Sequence, residues 1–93
     1  FELIYGCKKM QNSDVDVIIA IGCIIKGETD HYNYICQSVS NGITQLNIIN
    51  NIPIVFCVLT DHNVQQSINR SGGKHGNKGI ESAVAAIKIA CIK

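Results

Sequence analysis

The order of apolar patterns along the chain predicts an α/β protein whose parallel strands are joined by right-handed helical crossovers. Three observations carry this reading. Two runs rich in β-branched residues, 15–25 and 54–59, lack polar alternation, as strands buried on both faces do. Between them, Tyr32, Ile35, Cys36, Val39, Ile43 and Leu46 recur at the helical period. The whole chain then reads helix, strand, helix, strand, helix, helix.

Each element has a local reason. Residues 3–10 read as a short helix, with Lys8 and Lys9 near the end where cations complement the macrodipole. Ser13-Asp14 breaks it before the first strand. Gly27-Glu28-Thr29-Asp30 ends that strand, and Thr29 or Asp30 is a candidate N-cap for the long helix. Asn50-Asn51 stops the helix, and Pro53 starts the second strand. Thr60-Asp61 is expected to cap a short helix over 63–69. A Gly-rich loop, 71–79, leads into a last helix over 80–92. That helix is expected to bury Ile80, Ala83, Val84, Ile87 and Cys91 along one face.

The composition narrows the function classes. The chain has 93 residues, 46% hydrophobic and 16% charged, with a formal net charge of +1, so it is globular in kind and sized for one domain. A near-neutral balance without Trp argues against a nucleic-acid partner. The longest apolar stretch, 17–25, is far below the roughly 20 residues of a membrane span. Cys7, Cys23, Cys36, Cys57 and Cys91 are five in number and unclustered, unlike a zinc site or a secreted disulfide framework. They read as small buried hydrophobes in a reducing compartment, and the expected location is cytoplasmic. Two strands buried on both faces cannot by themselves make a sheet. Further strands preceding Phe1, or strands from a partner, are therefore expected, and a start at Phe1 rather than Met favours the first.

Ligands of an open parallel sheet gather at the carboxyl ends of its strands, where helix N-termini present free N–H groups. Three features belong at that edge. In Gly27-Glu28-Thr29-Asp30-His31, the amides near Glu28 and Thr29 suit an anion. His31 would stand in the first helical turn, where the positive dipole end disfavours an imidazolium. A neutral imidazole there can take up and return a proton; the alternative is an exposed or capping residue. Residues 69–79 hold three cations and four glycines in eleven positions, without a P-loop register. They read either as a solvated loop or as donors around a phosphate or carboxylate, with Arg70 the best candidate for a two-pronged grip. Phe56, in the second strand, is either core or a wall for a planar ligand.

Taken together, these segments closely resemble the lumazine synthase family of riboflavin biosynthesis. The likeness rests on Phe1-Glu2-Leu3, on residues 20–34 with their Gly27-Glu28-Thr29-x-His31-Tyr32-x-Tyr34 run, on Pro53 to Thr60, and on Gly76-Asn77-Lys78-Gly79. It covers essentially the whole chain. The resemblance implies a three-layer αβα, flavodoxin-like parallel sheet, of which residues 1–93 are the carboxyl-terminal part. The first strands and first helix are then missing from this chain, which alone would be inactive.

The activity implied is condensation of 5-amino-6-(D-ribitylamino)uracil with 3,4-dihydroxy-2-butanone 4-phosphate to 6,7-dimethyl-8-ribityllumazine, releasing phosphate and water. His31 matches the family's proton-transfer histidine. Arg70, with Glu28 and Thr29, matches the phosphate grip. Phe1, Glu2, Cys23, Ile24, Ile25 and Phe56 match positions lining the ribitylaminouracil pocket, and Lys78 matches a lysine near the same site. The resemblance implies no metal or cofactor, and self-association into pentamers, in some members sixty-subunit shells, with each site formed between neighbours. The chain departs from the family at Ile4, usually Pro, at Asn69 and Ser71 flanking Arg70, and at His75, usually small. The alternative function is a non-catalytic shell-forming or ligand-binding protein on the same scaffold.

Overall fold

A computed structural model describes residues 1–92. The elements are α1 (Glu2–Met10), β1 (Ile18–Ile25), α2 (His31–Ile49), β2 (Ile54–Asp61), α3 (Val64–Asn69), β3 (Ser71–Gly73), β4 (Gly76–Asn77) and α4 (Lys78–Ala90). Strands β1 and β2 pair in parallel without a break, from Ile18 opposite Ile54 to Ile25 opposite Asp61. Lys26 extends the ladder by donating its N–H to the Asp61 carbonyl at 2.9 Å. The molecule is thus a mixed α/β structure around a small parallel sheet.

Helices lie on both faces of that sheet. On one, Cys7 of α1 and Val39, Ile43 and Leu46 of α2 pack with Ile18, Ala20, Ile54 and Val58 in a single buried cluster. This matches the stripe expected for the long helix. On the other face, Val55 and Cys57 are buried, and the Cys57 thiol reaches the Lys78 carbonyl at the start of α4. β2 is therefore covered on both sides, as its unbroken apolar run requires.

β1 is not. Its burial alternates, and Ile19, Ile21 and Ile25 are exposed, Ile21 by 72%. The expectation of burial on both faces fails here because α3 is only six residues long and α4 lies mainly over β2. The expected inner face of α4 is also reversed. Ser82 and Ala86 are buried, while Ile80, Ala83, Val84, Ile87 and Cys91 are exposed. Both stripes obey the helical period, so the period alone does not choose between them, and the face with Ser82 and Ala86 is the buried one of a helix that packs mainly on β2.

Two local expectations change as well. The cap of α3 is Asn63, whose Oδ1 accepts the Gln66 N–H at 2.9 Å, because β2 runs on through Thr60 and Asp61. The segment expected as a loop, 71–79, holds the β3–β4 hairpin and the first residues of α4. The start of β2 is fixed by Asn47 near the end of α2. Its side chain donates to the Ile54 carbonyl at 3.0 Å and accepts the Ile54 N–H at 2.7 Å.

Replacing Asn47 with Ala strips both partners from the backbone of buried Ile54 and should cost about 1–3 kcal/mol. The measurement is the urea midpoint, expected to fall with an unchanged slope. Asn47→Asp should also destabilise, since a carboxylate cannot donate to the carbonyl.

Candidate functional site

The first corner of the site forms where β1 gives way to α2. Asp30 occupies the N-cap position but its side chain makes no capping bond; instead the Thr29 hydroxyl accepts the His31 N–H at 3.3 Å. His31 is the first residue of α2, exposed at the positive end of a 19-residue helix. The ring of Phe1 stands edge-on to it, 6.1 Å between centroids. Two sequence-assigned residues from distant positions therefore meet here. Next to His31, the Tyr32 ring meets His62 edge-on at 6.0 Å, which ties the first turn of α2 to the end of β2.

The second corner forms after β2. Arg70 ends α3, and its N–H still bonds back to the Gln66 and Ser67 carbonyls, both at 3.2 Å. The hairpin then folds against it: the His75 N–H donates to the Asn69 carbonyl and the Lys78 N–H to the Arg70 carbonyl, each at 2.8 Å. Gly73 is required for this closure, because a Cβ there would lie 2.8 Å from the Ile68 carbonyl oxygen. Gly76, at φ +89°, turns the chain where other residues would be strained. Asn77 caps α4 through Ile80 at 3.0 Å. The Gly-Asn-Lys-Gly motif thus has a structural meaning: it turns, caps and starts a helix.

The guanidinium of Arg70 is held from two sides. Its Nη1 donates to the His75 carbonyl at 2.7 Å and to the Glu81 carboxylate at 3.0 Å. Among the described residues both side-chain bonds run through that one nitrogen, and Nε and Nη2 stay available. Two adjoining clefts of about 180 and 290 Å³ share Arg70, Lys78 and Leu59 in their walls. The smaller also takes in Ile21 and Cys57. The larger takes in Phe56 and Asp61. An apolar floor from the strands and two cations at the rim can receive a flat heterocycle beside an anionic group.

The remaining sequence-assigned residues are more scattered. Glu28 and Thr29 lie exposed in the bend before α2. Glu2 is exposed at the start of α1. Ile24 is partly buried against the core, Ile25 is exposed, and exposed Cys23 contacts Ser67 of α3. His31 and Arg70 occupy separate corners, with no hydrogen bond or ion pair joining them among the described residues. Sequence reading passed over Leu59, Asp61 and Glu81. For Glu81 a signal existed: an acid in the first turn of a helix that follows a cluster of cations.

The bond from Arg70, reinforced by its charge, holds the Glu81 carboxyl below its ordinary value of 4.5. A depressed carboxyl contributes above its ordinary pKa and loses that contribution as pH falls through the lowered one. The pair should therefore stay closed at neutral pH and open only below about pH 4.5. Carboxyl-detected NMR titration should place the Glu81 midpoint below 4.5, and Arg70→Ala should move it back up.

Comparison with known proteins bears on this arrangement. The profile of the 6,7-dimethyl-8-ribityllumazine synthase family matches residues 1–93. The 6,7-dimethyl-8-ribityllumazine synthase of Flavobacterium johnsoniae is 61% identical over 94 residues, which is 100% of this chain and 50% of that protein. The protein of the same name from Christiangramia forsetii is 58% identical over 95 residues, 100% of this chain and 56% of its own length. That from Bacteroides fragilis is 48% identical over 90 residues, 96% of this chain and 63% of its own. The chain spans about half the length of these curated relatives. With the profile matched from end to end, this chain belongs to the 6,7-dimethyl-8-ribityllumazine synthase family.

Proposed function

We propose that the protein acts as a lumazine synthase. It would condense 5-amino-6-(D-ribitylamino)uracil with 3,4-dihydroxy-2-butanone 4-phosphate to 6,7-dimethyl-8-ribityllumazine, phosphate and water. The observation that carries this reading is the pair of adjoining clefts that share Arg70 and Lys78, one floored by Ile21, Cys57 and Leu59 and the other reaching Phe56, on a chain of this family. A dianion clamp beside a flat apolar surface is what a phosphorylated ketone and a pyrimidine amine require.

In this reading His31 carries protons. Attack of the substrate amine on the ketone, loss of water to an imine, departure of phosphate and ring closure each move a proton. An exposed imidazole at a helix N-terminus, braced by the Phe1 ring, is positioned to serve them. Arg70 receives the phosphate through Nε and Nη2, aided by the amides around Glu28 and Thr29 at the head of α2. Phe1, Glu2, Cys23, Ile24, Ile25 and Phe56 form the ribitylaminouracil pocket, with Lys78 at its rim. The chemistry runs on proton transfer and positioning, with no cofactor or metal assigned.

The fold is proposed to be a three-layer αβα, flavodoxin-like one, in which β1 and β2 are part of a larger parallel sheet. The support is the exposed face of β1 beside a β2 whose Ile54, Val55, Cys57 and Val58 are buried. Strands that complete the sheet come from outside these two, in the same protein or from a neighbour. Self-association into a pentamer, or into a sixty-subunit shell, would bring the His31 corner of one copy to the Arg70 corner of the next. Among the described residues no helix is long and apolar enough to cross a membrane; a cytoplasmic location is proposed.

Lumazine formation, followed by absorbance, tests the activity. His31→Ala should lower kcat by about 100-fold or more. Arg70→Ala should raise KM for the phosphorylated ketone by roughly 10- to 100-fold, the worth of a lost charge-assisted bond. Parent-like kinetics in both variants would sink the site assignment, and assembly without product in the parent would favour a non-catalytic shell.

A further inference from the structure

We infer that Ser67 and Asp61 fix the thiol hydrogen of Cys23, so that Cys23 offers the pyrimidine substrate a sulfur acceptor and not an S–H donor. The ligand half of this inference rests on the proposed function; the hydrogen-bond half does not. The three groups form a chain from strand to helix to strand. Cys23 Sγ lies 3.3 Å from Ser67 Oγ, and Ser67 donates its hydroxyl hydrogen to Asp61 Oδ2 at 2.8 Å. A hydroxyl has one hydrogen, and a carboxylate only accepts. With that hydrogen committed to Asp61, the contact to sulfur must be made by the thiol's own hydrogen.

Both ends of the chain are anchored. Asp61 is the last residue of β2, opposite Ile25 in register, and its carbonyl closes the ladder with the Lys26 N–H. Ser67 is buried, so water competes little for its hydroxyl. Its carbonyl accepts both the Arg70 N–H and the Ser71 hydroxyl. The helix that ends in Arg70 therefore also sets the thiol of Cys23. Cys23 itself is exposed and pairs in register with Leu59, which lines both clefts. With the hydrogen turned inward, the sulfur lone pairs are left for a ligand N–H or O–H. A substrate rich in amine and hydroxyl donors is served by that polarity, and a carbonyl is not. Ser67 and Asp61 are positioning residues, acting through Cys23.

The S–H stretching band, read by Raman spectroscopy and assigned by subtracting the Cys23→Ser spectrum, reports the donation directly. The parent should show the Cys23 band shifted to the lower frequency of a hydrogen-bonded thiol. Ser67→Ala should move it up to the free-thiol position, and Ser67→Thr should restore it. Asp61→Asn, nearly isosteric, should also move it up, because the amide can donate to Ser67 and turn its hydrogen round. A free-thiol band in the parent, or no movement in the Ser67 or Asp61 variants, would overturn the inference. In steady-state assays Ser67→Ala should raise KM for the pyrimidine amine about three- to tenfold, with KM for the phosphorylated ketone unchanged. Equal changes in both, or none, would overturn the ligand half. A parent that forms no lumazine would overturn the proposed function and leave the Raman result standing.

Discussion

The parallel pairing of β1 with β2 is the constraint from which the rest of the structure follows. Two parallel strands cannot be joined by a tight turn, so the chain must travel back the full length of the sheet between them. At 1.5 Å per residue the 19 residues of α2 cover about 28 Å, while eight strand residues at 3.3 Å cover about 26 Å. The crossover helix is thus matched in length to the strands it connects. Its first residue, His31, must then stand at the carboxyl edge, and its last turn must reach the amino edge, where Asn47 grips Ile54. A histidine at the ligand-binding edge is a consequence of register, not of any contact made by the histidine.

The Arg70 corner is built on a different principle. Almost every bond that places it is made by backbone: Gln66 and Ser67 carbonyls behind it, Asn69 and Lys78 around it, and the glycines that let the hairpin close. The one charged contact, with Glu81, involves partners that are 31% and 59% exposed, and pairs of that kind contribute little to stability. Its effect is geometric. Holding Nη1 between a carbonyl and a carboxylate sets the plane of the guanidinium and leaves its other nitrogens for an anion. That division of labour suits a phosphate grip, since a long side chain left free to rotate would lose entropy on each binding event.

Much of this was legible in the sequence. The α2 stripe of Val39, Ile43 and Leu46 and the apolar run of β2 were read correctly because burial there is decided by local pattern. The failures share one cause. Whether Ile21 is covered, and whether α4 turns Ile87 or Ala86 inward, depends on which element lies opposite, and no local period encodes that. The hairpin at Ser71–Gly73 and Gly76–Asn77 was hidden behind glycines that read as loop, though two of them supply the turn and close approach a hairpin needs. Arg70 could be named from its neighbours in sequence. Its dependence on Glu81, and the link from Cys23 through Ser67 to Asp61, arise only once α3 and α4 are placed over the sheet.

The exposed apolar residues divide into two kinds once the clefts are considered. Ile21 is among the most exposed side chains of β1, yet it forms the wall of the cleft that Arg70 and Lys78 rim. Under the proposed function its exposure is the substrate floor, and an element that covered it would close the site. Ile19 lines neither cleft, nor do the exposed Ile80, Val84 and Ile87 of α4. Burying Ile19 and that face of α4 against further strands or another copy would release water from apolar area at about 25 cal/mol per Å². Under the proposed function, assembly and substrate binding would draw on separate parts of the exposed apolar surface. Alternation along β1 does not separate them, since Ile19 and Ile21 share a face; the hairpin residues Ser71 and Asn77, which line a cleft with Ile21, do.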